Sequence, residues 1–347
     1  MRDNMDTQII TNPSEQDIDM LARALRNGEL VSIPTETVYG LGANGLDPEA
    51  MDKIYAAKGR PSDNPLILHV PNSESIKPLV TEVSNTAQLL MDTFWPGPLT
   101  ITLPKSDLVP DRATGGLSRV ALRCPDHEIC RALLERAGVP IAAPSANISG
   151  RPSPTTAQDV YHDMNGRISY ILDAGPCTIG VESTVVEVHD DKVIILRPGG
   201  ITKAQLEAVV STVEYDTALV NATTKPKAPG MKYTHYAPDA PMTVVVGNPE
   251  AIASTFKELS DGIEGPIGCL ISHETYDLIK DDTRFMCHCF GHHGDALSLG
   301  HDFYKSLLHF NENHVTLILA EGVNDDGFGV AIMNRMEKAS GHHIIYK

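Results

Sequence analysis

The chain has 347 residues, 41% hydrophobic and 21% charged, with a formal net charge of -17. That length can bury a sizeable core and suggests two domains, while the composition excludes fibrous and low-complexity classes. The acidity argues against a surface that grips a nucleic-acid backbone, which needs many cation–phosphate contacts, and no run of 18 apolar residues offers a membrane span.

Residues 1–15 are polar and partly acidic, lack the basic, apolar pattern of a targeting segment, and read as a flexible arm. The six cysteines show no disulfide-framework spacing, so reduced thiols and a cytoplasmic enzyme are expected. Residues 14–28 predict a first helix, with Ile18, Leu21, Ala22 and Leu25 at helical spacing and Gly28 as its stop. Leu30, Val31 and Ile33 then form an apolar run that Pro34 ends, because proline cannot donate to a sheet ladder. Thr35, Glu36 and Thr37 are left at the carboxyl mouth of that strand, the edge where open α/β sheets bind ligands.

Gly40-Leu-Gly42-Ala-Asn-Gly45 matches the dinucleotide fingerprint in letters. The ribose-binding acid that motif requires would be Asp63, which sits in a loop by composition rather than at a strand end. A tight strand-to-helix turn explains the same glycines without a cofactor. Asp47 as N-cap, Pro48, and the apolar face of Met51, Ile54 and Tyr55 predict a helix that Gly59 and Pro61 end. Lys58 falls in its last turn and Arg60 just outside, where cations also serve as plain dipole compensation.

A strand over 65–70 carries His69, and a helix follows over 86–94. A strand over 99–103 precedes Val120-Ala-Leu-Arg123-Cys-Pro125, a strand stopped by proline with Arg123 near its end. After a helix over 127–137, the strand 139–143 leads into Pro144-Ser145-Ala-Asn147, a cluster that ordinary turn chemistry also accounts for. Residues 180–188 and 192–197 read as paired strands, which lets Ser183 and Arg197 face one concave surface, and a helix begun at Thr202 closes the domain. In so acidic a chain, Lys58, Arg60, Arg123 and Arg197 all fall on these ordered motifs, as a polyanionic substrate would require.

Taken together, Pro34-Thr-Glu-Thr-Val-Tyr-Gly-Leu-Gly42, Lys58-Gly-Arg60-Pro, Asn64-Pro-Leu, His69, Ser145-Ala-Asn147-Ile-Ser-Gly150, Glu182-Ser183-Thr184 and Leu196-Arg197-Pro-Gly199 resemble the YrdC/Sua5 family in residues and order. The C-terminal extension resembles the two-domain Sua5 type. The resemblance implies a twisted mixed α/β sheet followed by a smaller Rossmann-like α/β domain. It implies a catalytic domain over 16–212, a linker or lid over 213–241 and a C-terminal domain over 242–347.

The implied reaction joins L-threonine, bicarbonate and ATP into threonylcarbamoyl-adenylate and pyrophosphate, for the t6A37 modification of tRNA, with Mg²⁺ accompanying ATP. By the same resemblance Thr35, His69, Arg123 and Ser183 hold threonine and its carbamate. Lys58, Arg60, Asn64, Ser145, Asn147, Ser153 and Arg197 surround the nucleotide, Tyr236 closes over it, and Lys58, Arg60 and Arg197 stabilise the reacting phosphates. The sequence departs from the family at Ala143, where a hydroxyl often lines the threonine pocket. The product passes to a threonylcarbamoyl transferase complex, with no stable nucleic-acid or membrane partner expected. The rivals are an RNA-binding module and a carbamoyl-transfer enzyme of hydrogenase maturation, whose paired Cys-x-x-Cys motifs do not occur here.

From Ser211 onward the pattern weakens. Residues 221–230 are a linker by composition, and 231–238 hold two tyrosines and a histidine, which suggests a lid that excludes water. Strands around 244–246, 266–271 and 316–320, alternating with helices, predict a parallel sheet. The cluster Cys287, Cys289, His292 and His293 raises zinc as a reading. Phe285, Cys287 and Cys289 equally alternate as the buried side of a strand, so no metal site is assigned.

Overall fold

The computed structural model describes residues 6–220 and 235–347, which form two compact units. The first is built on strands β1 (Gln8–Thr11), β2 (Val31–Ile33), β3 (Gly40–Asn44), β4 (Ile67–His69), β5 (Leu99–Pro104), β6 (Arg119–Arg123), β7 (Ile141–Ala142), β8 (Tyr170–Asp173), β9 (Thr184–Val188), β10 (Val193–Arg197) and β11 (Val213–Tyr215). They form one mixed sheet in the order β1-β8-β2-β3-β7-β4-β6-β5-β9-β10-β11.

Its principal helices are α1 (Glu15–Arg26), α2 (Pro48–Lys58), α3 (Asn85–Phe94), α4 (Asp111–Thr114), α5 (Glu128–Ala137) and α6 (Ala157–Met164). Helix α1 starts at a capping box in which Ser14 Oγ accepts from Asp17 N and the Asp17 carboxylate accepts from Ser14 N. Its buried face, Ile18, Leu21 and Leu25, packs with Leu133 and Leu134 of α5 against Val31, Ile33 and Ile141. Helix α2 begins at the Asp47 cap and ends on Gly59 in the left-handed conformation, and its Met51 and Ile54 join Leu41 and Ala43 in the other core.

Strand β3 corrects the expected glycine turn. Its residues pair antiparallel with β2 and β7, and neither Gly40, Gly42 nor Gly45 has a left-handed φ. These glycines answer a lack of space instead. A Cβ on Gly42 would lie 2.8 Å from the Val31 carbonyl oxygen, and one on Gly45 would lie 2.7 Å from Leu68 Cδ2. With β3 in the sheet there is no strand-to-helix phosphate turn, and the dinucleotide reading fails with it.

Two boundaries also move. Gln8–Thr11, expected in the arm, pair in parallel with β8. Val213–Tyr215, expected in the linker, pair in parallel with β10, because β10 needs an edge partner and Val213 buries against the core.

The second unit carries β12 (Met242–Val246), β13 (Ile267–Ile271), β14 (Phe285–Cys289), β15 (Leu317–Glu321) and β16 (Ile344–Tyr346), all paired in parallel in the order β14-β13-β15-β12-β16. After α7 (Lys203–Glu207) and α8 (Thr217–Val220) in the first unit, its helices are α9 (Pro249–Ser260), α10 (His273–Ile279), α11 (Ala296–Glu312) and α12 (Gly329–Ala339). A parallel sheet needs both faces covered, and the uninterrupted burial of β13 fits that demand. Phe285, Cys287 and Cys289 pack against the core of Ile252, Phe256, Cys269 and Leu319.

Candidate functional site

The site of the first unit follows from sheet pairing. His69 and Arg123 are register partners at the carboxyl ends of parallel β4 and β6. Strand β5 runs antiparallel to β6, with Ile101 opposite Leu122, so Thr100 comes one step further, level with Arg123. Thr100 pairs with Val185, and Val185 pairs with Arg197. A single row therefore crosses five strands and ends in Arg197, although the residues come from the starts of some strands and the ends of others. Mixed strand direction is what brings Ser183, just before β9, to the same edge as Arg123.

Around this row the contacts are dense. Ser183 Oγ lies 2.7 Å from Thr100 Oγ1. Arg197 donates from Nε and Nη2 to the Ser183 carbonyl at 3.1 and 2.9 Å, and from Nη2 to Ser183 Oγ at 3.2 Å. Arg123 donates from Nη1 to Thr37 Oγ1 at 2.9 Å, and Thr37 Oγ1 is 2.9 Å from Thr35 Oγ1. The Thr35 hydroxyl in turn donates to the Val38 carbonyl and accepts from the Thr37 and Val38 N–H groups, a local turn that fixes the segment after β2.

Glu36 stands 2.7 Å from Arg123 Nη2, and both side chains are more than nine-tenths buried. This is ionic contact without hydrogen-bond alignment, since among the described residues neither Glu36 oxygen nor Arg123 Nη2 forms a hydrogen bond. His69 Nδ1 lies 3.2 Å from the Ile67 carbonyl oxygen. Burial, and then the neighbouring Arg123 cation, hold the His69 imidazole down to about 3, so it is neutral at ordinary pH.

A second cluster centres on Lys58 at the end of α2. Its ammonium donates to the carbonyls of Ser145 and of Asn147, the latter at 2.6 Å. Burial, then the Arg60 cation, push its pKa well below the usual lysine range, while the charges of Asp163 and Glu182 act the other way. Asp163 accepts from Ile148 N at 3.0 Å and steadies the same turn. Ser153 donates to Glu182 at 2.6 Å, which ties this cluster to the Glu182-Ser183 segment. Arg60 donates from Nη2 to the Pro65 carbonyl, and the Asn64 side-chain amide is buried with no hydrogen bond from its nitrogen among the described residues.

A cavity of about 300 Å³ opens over β5, β6 and β9, lined by Pro65, Leu66, Thr102, Leu117, Arg119, Ala121, Val185, Glu187 and Leu196, none of which is a site residue singled out by sequence. Arg119, Ala121 and Arg123 alternate along β6, so the cavity and the Arg123 cluster share one sheet face. Its floor is a small apolar group of Ile67, Ala121, Val185 and Leu196.

Eleven of the residues singled out by sequence, from Thr35 to Arg197, thus lie in the first unit on these linked clusters. Tyr236 belongs to the second unit, where it is buried against Tyr304, ring centroids 5.4 Å apart, with the Arg335 guanidinium 5.7 Å from its ring. The expected linker over 221–230 and residues 231–234 of the expected lid lie outside the described residues. Sequence reasoning missed Thr100 and Arg119, and noticed Glu36 and Glu182 without giving either a role. The alternation of β5 would have pointed to Thr100, but its level with Arg123 depends on a pairing no local pattern reveals.

In the second unit, Glu321 at the end of β15 is wholly buried and accepts from Ser272 N and Ser272 Oγ, and His293 Nδ1 lies 2.7 Å from its other oxygen. His292 Nδ1 pairs with Glu274 at 3.0 Å. These histidines are engaged by carboxylates, and among the described residues no group of three or more histidine, cysteine or acidic side chains is arranged to hold a metal ion.

Comparison with known proteins matches residues 23–199 to the Sua5/YciO/YrdC family profile, described as "Telomere recombination". Residues 201–341 match the profile "Threonylcarbamoyl-AMP synthase, C-terminal domain". A threonylcarbamoyl-AMP synthase of Bacillus subtilis is 46% identical over 333 residues, 96% of this chain and 95% of that one. Its counterpart in Pyrococcus abyssi is 44% identical over 95% of this chain and 96% of that one. The crystal structure of P. abyssi Sua5 complexed with L-threonine superposes with a TM-score of 0.88 at 42% identity, covering 99% of each chain. With both profiles in sequence and a shared fold across the full length, the chain belongs to the Sua5/YrdC family in its two-domain form, the form that carries the threonylcarbamoyl-AMP synthase C-terminal domain.

Proposed function

We infer that the chain is an L-threonylcarbamoyladenylate synthase, a nucleotidyltransferase that joins L-threonine, bicarbonate and ATP and releases pyrophosphate, for the t6A37 modification of tRNA. The observation that carries this reading is the row from His69 and Arg123 through Thr100 and Val185 to Arg197, with Ser183 bonded to Thr100 and Arg197, and a cavity of nucleoside size on the same sheet face. Arg123 is the partner for the threonine carboxylate, since its guanidinium forms a two-pronged contact. Thr35, Ser183 and the neutral His69 supply hydroxyl and imidazole contacts to threonine and its carbamate.

The carbamate oxygen attacks the α-phosphorus of ATP. That step needs no protein nucleophile, only alignment and stabilisation of the developing charge. Arg197, Arg60 and the remaining donor of Lys58 supply that stabilisation. Asn64, Ser145, Asn147 and Ser153 hold the nucleotide, and its base covers the apolar floor at Ala121 and Leu196. Mg²⁺ accompanies the triphosphate, whose charge attracts a divalent cation. The product goes on to a threonylcarbamoyl transferase complex in the cytoplasm, and no helix among the described residues is long and apolar enough to cross a membrane.

The test is ATP–pyrophosphate exchange with each proteinogenic amino acid, with and without bicarbonate. Exchange that requires both L-threonine and bicarbonate is expected. Exchange with another amino acid, or without bicarbonate, would overturn the assignment.

A further inference from the structure

We propose that Glu36 is the ammonium-binding residue of the amino-acid site, reading the substrate's charged nitrogen while Arg123 reads its carboxylate. The proposal deepens the threonine reading above and rests on it. Glu36 and Arg123 form a buried pair of opposite charges in contact at 2.7 Å. A pair that existed only to hold itself would align donor and acceptor. Here both Glu36 oxygens and Arg123 Nη2 are buried and make no hydrogen bond among the described residues. Arg123 is meanwhile anchored through Nη1 on Thr37 Oγ1, with Nε 3.4 Å from the Gly97 carbonyl oxygen. Glu36 is held through its backbone, where the carbonyl accepts from Thr178 Oγ1 at 3.4 Å, and its side chain through the ionic contact with Arg123.

Unsatisfied acceptors and an unsatisfied donor therefore lie side by side in a dry setting, where each missing hydrogen bond is costly. The ligand that satisfies both at once carries an anion and a cation a few bonds apart. The α-ammonium and α-carboxylate of an amino acid have that arrangement. They add no net charge to the buried pair, whereas a simple acid would bring a second anion towards Glu36. Glu36 thus selects a zwitterion over an amine-free acid of the same shape.

The experiment compares two ligands on the purified full chain: L-threonine and (R)-3-hydroxybutanoate, which is threonine without its nitrogen. Direct binding of the first is measured by calorimetry, and the second by competition. Glu36→Gln is expected to weaken L-threonine about tenfold or more, the scale of one charge-assisted hydrogen bond. The same change should leave the hydroxy acid unaffected or bind it more tightly. Should the Gln variant fail to fold, Glu36→Asp keeps the charge beside Arg123 while withdrawing it, and the same selective loss is expected. Equal weakening of both ligands would mean that Glu36 only props Arg123, and would overturn the proposal. A wild-type chain that binds no L-threonine would instead overturn the threonine reading itself.

Discussion

His69 and Lys58 show how burial reshapes single side chains here. The His69 imidazole is held down to about 3 by burial and by Arg123, against about 6.5 in an unfolded chain. Below pH of about 6.5 the unfolded state takes up a proton that the folded state refuses, so stability is full above that point and falls as pH drops towards about 3. Between about pH 7.5 and about pH 5 this one group should remove about 2 kcal/mol. Urea unfolding of His69→Gln should show a shallower acid loss than wild type; identical slopes would contradict a neutral buried His69.

For Lys58, burial and then Arg60 lower the pKa, and a phosphate brought beside it would raise the pKa again. Nucleotide binding in mildly alkaline buffer should therefore take up protons, read by calorimetry in buffers of different ionisation enthalpy. Lys58→Met should abolish that uptake, and Lys58→Ala should slow pyrophosphate release about 10²–10³-fold, by analogy with loss of an oxyanion donor.

At the scale of elements, β3 is the segment whose sequence most misleads. Its glycines spell a phosphate-binding fingerprint, yet the structure uses them to let strands approach β2, β4 and β7 closely. The Val31 carbonyl oxygen that a Gly42 Cβ would meet belongs to a paired strand and cannot swing away. Gly42→Ala should therefore destabilise the protein by about 1–3 kcal/mol through overpacking. Thermal unfolding checks this, and an unchanged midpoint would return the glycines to a ligand-contact role. The close approach matters for chemistry too, because β3 bridges to Ser145 through Gly40 and so sets where the Lys58-bound turn lies.

At the scale of the molecule, a net charge of -17 coexists with a site that gathers Lys58, Arg60, Arg123 and Arg197. Cations concentrated in so acidic a chain fit a small anion better than a long one. Threonine-dependent pyrophosphate release should proceed at full rate without RNA. RNA affinity that proved high and fell steeply with salt would support the RNA-binding alternative instead.

The sequence by itself determined where strands stop and which side chains wait at their ends. Pro34 and Pro125 end apolar runs beside Thr35 and Arg123, and Gly59 ends α2 just after Lys58; all three signals are local. Only the tertiary structure decided who meets whom. Ser183 stands just before a strand's start and Arg123 at a strand's end, and antiparallel insertion of β5 brings them to the same sheet edge. Residues 8–11 and 213–215 joined the sheet because distant strands offered them open edges. The misaligned Glu36–Arg123 contact joins residues far apart in sequence, and no periodicity encodes it. Backbone propensity acts over a few residues, whereas strand order is chosen by burial summed over the whole sheet.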